Sequence, residues 1–301
     1  MRKLTAFGYV IFAVCLLISC DKNAGVTPVV YKDTIINHNK IPPYQGVTLI
    51  QVQTYVNRLY IDLIGRIPIQ TEMDAGTKLI QTKPFSDSTR QILVNLLINK
   101  PDYYKRFFQL ASTKMLNASD SNTIDQEIKL YNVFLANYLK INDQYNADII
   151  KIEVQKLTDL QNAAKDYQAG NINISGFIYR MLDNYFYDQV NMGTFNFMKS
   201  AFENLMHRSP TASEQSNSIN MINGGAAILF YQNGTTKGDF INIMTSSSDF
   251  FEGQVVESFT HYLIRSPTST ELSKYTAMII PIKDLKPMLL QILISKEYAG
   301  F

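Results

Sequence analysis

The chain has 301 residues, of which 46% are hydrophobic and 18% charged, with 28 Lys and Arg against 26 Asp and Glu. This composition excludes an intrinsically disordered chain, and the length suffices for one large domain or two smaller ones. The formal charge of +2 comes from Arg2 and Lys3, because segment 1–19 has no acidic residue. The remaining chain is neutral, so we expect no nucleic-acid partner.

Residues 1–19 have the pattern of a signal peptide. Arg2 and Lys3 precede an apolar run over 7–18, which is shorter than the ~20 residues that span a bilayer. Leu-Ile-Ser-Cys at 17–20 resembles a bacterial lipobox, in which the peptidase cuts before a cysteine that carries lipid. An ordinary signal peptide with a chance cysteine is the alternative, but the polar residues at 21–23 favour a lipoprotein. We therefore predict a lipid anchor on Cys20 in the outer membrane, facing the periplasm or the cell surface.

The two cysteines have no other role in this interpretation. Cys15 leaves with the signal peptide and Cys20 is acylated, so no thiol remains for a disulfide, a zinc site or a covalent c-type haem. We predict no cofactor, no metal and no haem. Residues 20–46 contain several helix breakers and few residues to bury, which is typical of a tether.

Three segments share the pattern aromatic-x5-Arg-x-Pro-x3-Glu. They are Tyr60, Arg66, Pro68 and Glu72; Phe202, Arg208, Pro210 and Glu214; and Phe259, Arg265, Pro267 and Glu271. Each is followed by a second shared string, an apolar run that ends in a polar residue, an acid and an aromatic, at 96–103, 243–250 and 292–298. A repeated pattern of this kind predicts helical repeats, with one unit at 47–110, an insertion at 111–193, and units two and three at 194–301.

The repeated pattern predicts a helix corner. Apolar residues three and four apart before the first motif indicate an amphipathic helix, and Gly65 suits its C-terminal cap. Proline then permits a new helix. Thr211 and Thr268 lie three residues before a motif glutamate, which forms a capping box, whereas Ile69 breaks the box in the first copy. The arginine is within reach of the glutamate across the turn, and this favours a structural brace over an anion site.

Residues 55–68, Tyr-Val-Asn-Arg-Leu-Tyr-Ile-Asp-Leu-Ile-Gly-Arg-Ile-Pro, resemble the opening of a domain of unknown function in planctomycete secreted proteins, where it often accompanies c-type haem domains. The repeated motif is also similar to the phycobilisome-linker-like helical domain of unknown function, which occurs as repeats in bacterial surface proteins. With the lipobox, the chain resembles a Bacteroidota-type lipoprotein. The resemblance covers 45–105 and 195–301 and implies no catalytic residues. The haem association does not transfer, because the chain has no Cys-x-x-Cys-His.

The middle of the chain contains a long helical pattern. Residues 124–168 have no Gly or Pro, and their apolar residues recur at helical spacing. One uninterrupted helix remains possible as a protruding arm, but a hairpin bent near Asn142-Asp143 is the preferred interpretation. A further aromatic-rich helix is expected from about Ser175 to Asn191. Its rings suit either a sugar-binding platform or core packing, and the spacing around more than one face favours the core.

The sequence contains no strong catalytic signature. The histidines are His38, His207 and His261, and the last two do not occupy equivalent repeat positions, so a metal site is not expected. Asn223-Gly224-Gly225 and Asn233-Gly234 indicate turns. Convergent carboxylates stay open as an alternative.

The predicted fold is all-α, with about ten to twelve helices and little or no sheet. The predicted function is a lipid-anchored, non-enzymatic envelope protein that acts as an interaction or assembly module with an envelope protein partner. The alternative is a glycan-binding or hydrolase accessory lipoprotein. A cleft with two convergent carboxylates of perturbed pKa would favour that alternative.

Overall fold

The computed structural model describes residues 46–83 and 86–301. Within these ranges the chain forms fifteen helices and one antiparallel two-stranded hairpin, which confirms the predicted all-α class. The elements are α1 (Leu49–Ile64), α2 (Gln70–Thr82), α3 (Asp87–Ile98), α4 (Pro101–Met115), α5 (Ser121–Lys140), α6 (Gln144–Ala169), α7 (Ile174–Leu182), α8 (Tyr185–Val190), α9 (Thr194–Met206), α10 (Ala212–Ile222), β1 (Ala227–Leu229), β2 (Gln232–Gly234), α11 (Lys237–Ser246), α12 (Ser248–Leu263), α13 (Ser269–Ile279), α14 (Lys286–Ile294) and α15 (Lys296–Ala299). Over the described residues, no helix combines the length and apolar character needed to cross a membrane.

The helix count exceeds the predicted ten to twelve because polar residues with side-chain hydrogen bonds to the backbone break helices that sequence periodicity joins. Asn184 divides the predicted 175–191 helix into α7 and α8. Its side-chain amide donates to the carbonyls of Arg180 and Met181 at 2.8 and 2.9 Å, and its carbonyl oxygen accepts the Tyr187 N–H at 3.0 Å. One asparagine thus closes one helix and caps the next.

Two serines do the same between other helix pairs. Ser247 separates α11 from α12, and its hydroxyl donates to the Met244 carbonyl at 2.8 Å while accepting the Phe250 N–H at 3.1 Å. Ser295 separates α14 from α15 with the matching bonds to the Ile292 carbonyl and the Tyr298 N–H, at 2.7 and 3.2 Å. Both serines lie in the second shared string, so this string marks a sharp break between two helices.

The strands form a hairpin that the sequence analysis did not expect. Asn233 and Gly234, predicted as a turn, belong to β2. The turn lies at Phe230 and Tyr231, whose φ angles are 48° and 62°. Two residues with positive φ form the mirror-image turn that matches the twist of a hairpin.

The central hairpin of helices is present as predicted. α5 and α6 run antiparallel, and the bend contains Asn142 with φ 57° and Asp143, whose side chain caps α6 at the Asn146 N–H. Asparagine tolerates the left-handed conformation that such a bend needs. The two long helices therefore pack against each other along their length.

Each motif copy begins a four-helix repeat unit. The first unit is α1–α4, the second is α9–α12 and the third is α12–α15, so α12 closes one unit and opens the next. α4 continues past residue 110, the predicted end of the first unit, to Met115. The aromatic residue that closes the second string is buried in every unit: Tyr103 at 3%, Phe250 at 0% and Tyr298 at 2% exposure.

The first and third units pack against each other. Tyr55 on α1 donates its hydroxyl to the Leu293 carbonyl at 3.1 Å, and Arg58 donates to the Tyr298 carbonyl at 3.0 Å. The Tyr298 hydroxyl donates in return to the Asp62 carboxylate at 2.7 Å. These bonds join the beginning of the described fold to its end, and one continuous apolar core runs through all three units.

The helices α9 and α12 approach very closely at Gly253. A Cβ atom at this position would lie 1.9 Å from the Leu205 carbonyl oxygen, so no larger residue fits without moving a backbone. Glycine at a helix crossing permits this distance at the cost of some helix propensity. The crossing brings Glu257, a polar residue of α12, beside His207 at the end of α9.

At each corner the residue before the motif arginine has a left-handed backbone. The φ angles are 83° at Gly65, 53° at His207 and 56° at Ile264. At Gly65 the N–H donates to the Tyr60 and Ile61 carbonyls at 3.0 and 3.1 Å. Glycine adopts this conformation without strain, whereas a β-branched isoleucine does so at a cost of roughly 1–2 kcal/mol.

Replacing Ile264 with Gly should therefore stabilise the protein. Ile264 is 78% exposed and loses little packing, so relief of strain should outweigh the added flexibility of the unfolded chain by about 1 kcal/mol. Urea unfolding at neutral pH measures the change. Ile67→Gly is the control, because Ile67 is 68% exposed in another corner and has no positive φ. Equal destabilisation by both substitutions would contradict the strain at Ile264.

Candidate functional site

The three motif arginines each bind their glutamate through two parallel hydrogen bonds. The distances from the two guanidinium nitrogens to the two carboxylate oxygens are 2.7 and 2.9 Å for Arg66, 2.8 and 2.6 Å for Arg208, and 2.9 and 2.8 Å for Arg265. Each arginine also donates to the carbonyl of the next residue, at 3.0, 3.3 and 3.1 Å. The planar fork of arginine matches a carboxylate in this way, and it fixes the angle between the two helices of the corner.

The same glutamates cap the second helix of each corner. The N–H of Ile69, Thr211 or Thr268 donates to the glutamate at 3.0, 2.7 or 2.8 Å. In the second and third copies the threonine hydroxyl also accepts the glutamate N–H, at 3.3 Å in both. Ile69 has no hydroxyl, so only half of the predicted capping box forms in the first copy.

These contacts lower the pKa of all three glutamates. The hydrogen bond from the arginine is the largest cause in each case, and it holds the pKa of Glu72, Glu214 and Glu271 at about 2, below the ordinary value of 4.5. The helix N-terminus adds to the effect through the backbone N–H. The carboxylates are therefore charged at neutral pH and are not candidate general acids.

A third partner of the arginines comes from the second shared string. Arg208 donates to Asp249 at 2.6 Å, and Arg265 donates to both oxygens of Glu297 at 2.6 and 2.8 Å. In the first unit, Lys100 instead lies 3.5 Å from Glu72. The sequence analysis noted the acid in each string but missed its pairing with the arginine. The sequence did contain a signal for this pairing, because the second string of each unit has one acidic residue for each motif arginine.

The aromatic residue that opens each motif lies under its arginine. The guanidinium carbon is 5.7 Å from the ring centre of Tyr60 for Arg66, 5.3 Å from that of Phe202 for Arg208, and 5.0 Å from that of Phe259 for Arg265. Each arginine thus has a carboxylate, a carbonyl and an aromatic face as partners. Because both terminal nitrogens of each guanidinium already bind groups of the protein, these contacts favour a structural brace over an anion site. The prolines Pro68, Pro210 and Pro267 lie between the arginine and the capped helix.

The hairpin of α5 and α6 leaves many of its apolar side chains exposed. In α5, a helix of 20 residues, Ile124 alone is buried, and the base of the hairpin is held by the buried residues of α6. Eight large apolar side chains on the two helices and their bend remain between 42% and 77% exposed. They are Leu130, Val133, Phe134, Leu139, Ile141, Tyr145, Ile149 and Ile152. We call these eight residues the hairpin face.

The aromatic-rich segment does not form a platform. Phe177, Tyr187 and Phe202 are fully buried and Phe197 is 3% exposed. Phe195 is 49% exposed, without the companion ring that a stacking site for a sugar needs. Phe177, Tyr187, Phe197 and Phe202 thus belong to the core, which was the preferred interpretation, whereas Tyr179, Tyr185 and Phe186 are half-buried.

A cavity of about 170 Å³ lies where the three repeat units meet. α4, α7, α9, α12 and α14 contribute its walls, which are mostly apolar and include Phe107, Ala111, Leu205 and Leu289. Polar residues of α4 and α12 also line it, among them Lys114, Glu257 and His261.

An ion cluster lies beside this cavity. Glu257 accepts from Lys114 at 2.6 Å and lies 3.1 Å from the Nε2 atom of His207. The hydrogen bond from His207, with the nearby ammonium of Lys114, holds the pKa of Glu257 at about 2, although burial opposes this shift. Sequence analysis gave no sign of this cluster, because Lys114 and Glu257 are 143 residues apart.

Within residues 46–83 and 86–301, no group of three or more His, Cys, Asp and Glu side chains is arranged to hold a metal ion. Cys20, the signal peptide 1–19 and residues 20–45 of the tether lie outside the described residues. Comparison of the chain with protein-family models, curated proteins and solved structures finds no match. The two family resemblances therefore stay predictions.

Removing one corner arginine should destabilise the fold. Arg208→Ala loses two bonds to Glu214 and one to Asp249, and we expect the free energy of unfolding to fall by about 1–2 kcal/mol for this partly exposed group. Arg208→Lys should restore less than half, because an ammonium does not form the paired bonds. Urea unfolding measures both changes.

The control is Lys199→Ala. Lys199 pairs with Glu203 at 3.7 Å on the exposed side of the same helix, α9, and its loss should change stability by no more than about 0.5 kcal/mol. If Arg208→Ala and Lys199→Ala have equal effects, the corner contacts do not brace the fold.

Proposed function

We propose that this chain is a lipid-anchored, non-enzymatic protein of the bacterial cell envelope, attached to the outer membrane through Cys20, which binds an envelope protein partner. The observation that carries the proposal is the hairpin face. Eight large apolar side chains on one helical hairpin remain exposed, and exposed apolar patches on a soluble protein commonly mark interaction sites. The anchor rests on the lipobox at 17–20.

The geometry of the hairpin suits a recognition element. On α6, Tyr145, Ile149 and Ile152 recur four and three residues apart, the spacing by which an amphipathic helix packs against a partner helix or groove. On α5, Val133 and Phe134 lie three and four residues after Leu130. The charges among them are balanced, with Lys140 and Lys151 against Asp143 and Asp148. A neutral apolar face favours a protein partner over an anionic lipid surface, which attracts clusters of basic residues.

The alternative, a glycan-binding or hydrolase accessory, has less support. Of the aromatic residues that suggested it, Phe177, Tyr187, Phe197 and Phe202 are buried in the core. One cleft does hold two carboxylates, Asp159 and Asp183, but Lys156 lies 3.2 Å from Asp183 and Arg180 lies 4.0 Å from Asp159. Each of these carboxylates thus has a cation as its partner, whereas a glycosidase holds its two carboxyl groups ready for the glycosidic bond between them.

Polar substitutions on the hairpin face should abolish partner binding without unfolding the protein. In the full lipidated chain we would combine Val133→Ser, Ile141→Ser and Ile152→Ser, whose side chains are 56%, 68% and 56% exposed. The measurement is chemical cross-linking in native membranes, followed by purification in mild detergent and quantification of the cross-linked partner. We expect at least a tenfold loss of that partner and an unchanged midpoint of thermal unfolding.

The matched control replaces three isoleucines of similar exposure elsewhere: Ile67→Ser, Ile228→Ser and Ile282→Ser, at 68%, 56% and 52%. This control should retain the partner. Equal yields from both triple variants would contradict a role for the hairpin face. The intact mass of the purified chain tests the anchor separately, since an unmodified Cys20 would exclude lipidation.

A further inference from the structure

The cavity between the repeat units has the size and lining of a small-ligand site. Its volume of about 170 Å³ compares with the ~150 Å³ engineered apolar cavity that takes up benzene. Phe107 and Ala111 of α4, Leu205 of α9 and Leu289 of α14 supply apolar walls. Such a space has room for a ring or a chain of about six carbon atoms.

One buried polar atom in this wall has no partner. The Nε2 atom of His261 is inaccessible to solvent and makes no hydrogen bond within the described part of the chain. A buried polar atom without a partner is costly, and such atoms in folded proteins call for an explanation. A bound group that hydrogen-bonds to His261 would supply it.

Lys114, on the polar side of the cavity, has donors that its partner does not use. Lys114 has three ammonium protons and uses one of them on Glu257. Glu257 already has Lys114 and His207 as partners, so its charge is matched. The hydroxyl of Ser258 donates to the Gln254 carbonyl at 2.8 Å and is also occupied. A ligand that enters here meets the spare donors of Lys114, which suit a hydrogen-bond acceptor with negative charge. It also meets the imidazole of His261, which donates to such an acceptor in the tautomer that carries its proton on Nε2.

We propose that this cavity binds a small amphipathic monocarboxylic acid, with its apolar body between α4, α9 and α14 and its carboxylate against Lys114 and His261. This site is separate from the hairpin face and does not depend on the proposed partner. Apolar walls with a few convergent polar groups are the usual composition of a ligand pocket. The carboxylate is recognised through a charge-assisted hydrogen bond from the lysine.

The test is isothermal titration calorimetry of the purified chain, with hexanoate and hexan-1-ol as probes of equal chain length. We expect hexanoate to bind at least tenfold more tightly than hexan-1-ol. Lys114→Met should weaken hexanoate binding about tenfold and leave hexan-1-ol binding unchanged, because only the charged contact is lost. The matched control is Lys105→Met on the same helix, since Lys105 is a largely exposed lysine outside the cavity lining.

A second variant tests whether the probes bind inside the cavity. Ala111→Phe should fill the cavity and abolish binding of both probes, with folding checked by thermal unfolding. If this variant does not fold, the Lys114→Met comparison still decides. Absence of hexanoate binding to the unmodified chain at millimolar concentration would overturn the proposal. Equal hexanoate affinities for the Lys114→Met and Lys105→Met variants would overturn it as well.

Discussion

The bidentate contact between an arginine and a glutamate across a helix turn is the interaction on which this fold depends. In each copy the guanidinium joins the end of one helix to the capped start of the next, and the opening aromatic ring packs under it. In the second and third units the arginine also binds an acid at the start of the unit's fourth helix. One side chain thereby fixes three helices relative to one another. Charged groups contribute little in isolation on a surface, but a network with paired geometry contributes more.

The features with functional potential follow from how these units are joined. The second and third units share α12, and the first unit packs against the third through Tyr55 and Tyr298. The cavity lies where these three units meet, and the polar residues of α12, among them Glu257 and His261, line it. The hairpin of α5 and α6 lies between the first and second units in sequence, and its apolar face does not belong to the shared core. The fold thus combines a braced body with an uncovered element.

Local patterns in the sequence predicted much of this architecture. Apolar spacing predicted α1 and the long hairpin, and the positions of Thr211 and Thr268 predicted the caps, because these features depend on residues within a few positions of each other. The break at Asn184 was missed, since asparagine is acceptable within a helix and only its buried hydrogen bonds make it a terminator here. The pairing of Arg265 with Glu297 and of Lys114 with Glu257 depends on the tertiary fold. No local rule fixes contacts between residues 32 and 143 positions apart.

The most direct measurement of the central claim is the pH dependence of stability in the wild-type chain and in a triple variant with Glu72→Gln, Glu214→Gln and Glu271→Gln. The pKa of each glutamate is about 2 in the folded chain and near the ordinary 4.5 when unfolded, so the stability that they contribute is present above about pH 4.5 and is lost as pH falls toward 2. Urea unfolding at low salt should show the wild type more stable at pH 7, and the two curves should converge as the pH approaches 2. Curves that differ by a constant amount at every pH, or that coincide at pH 7, would contradict the account.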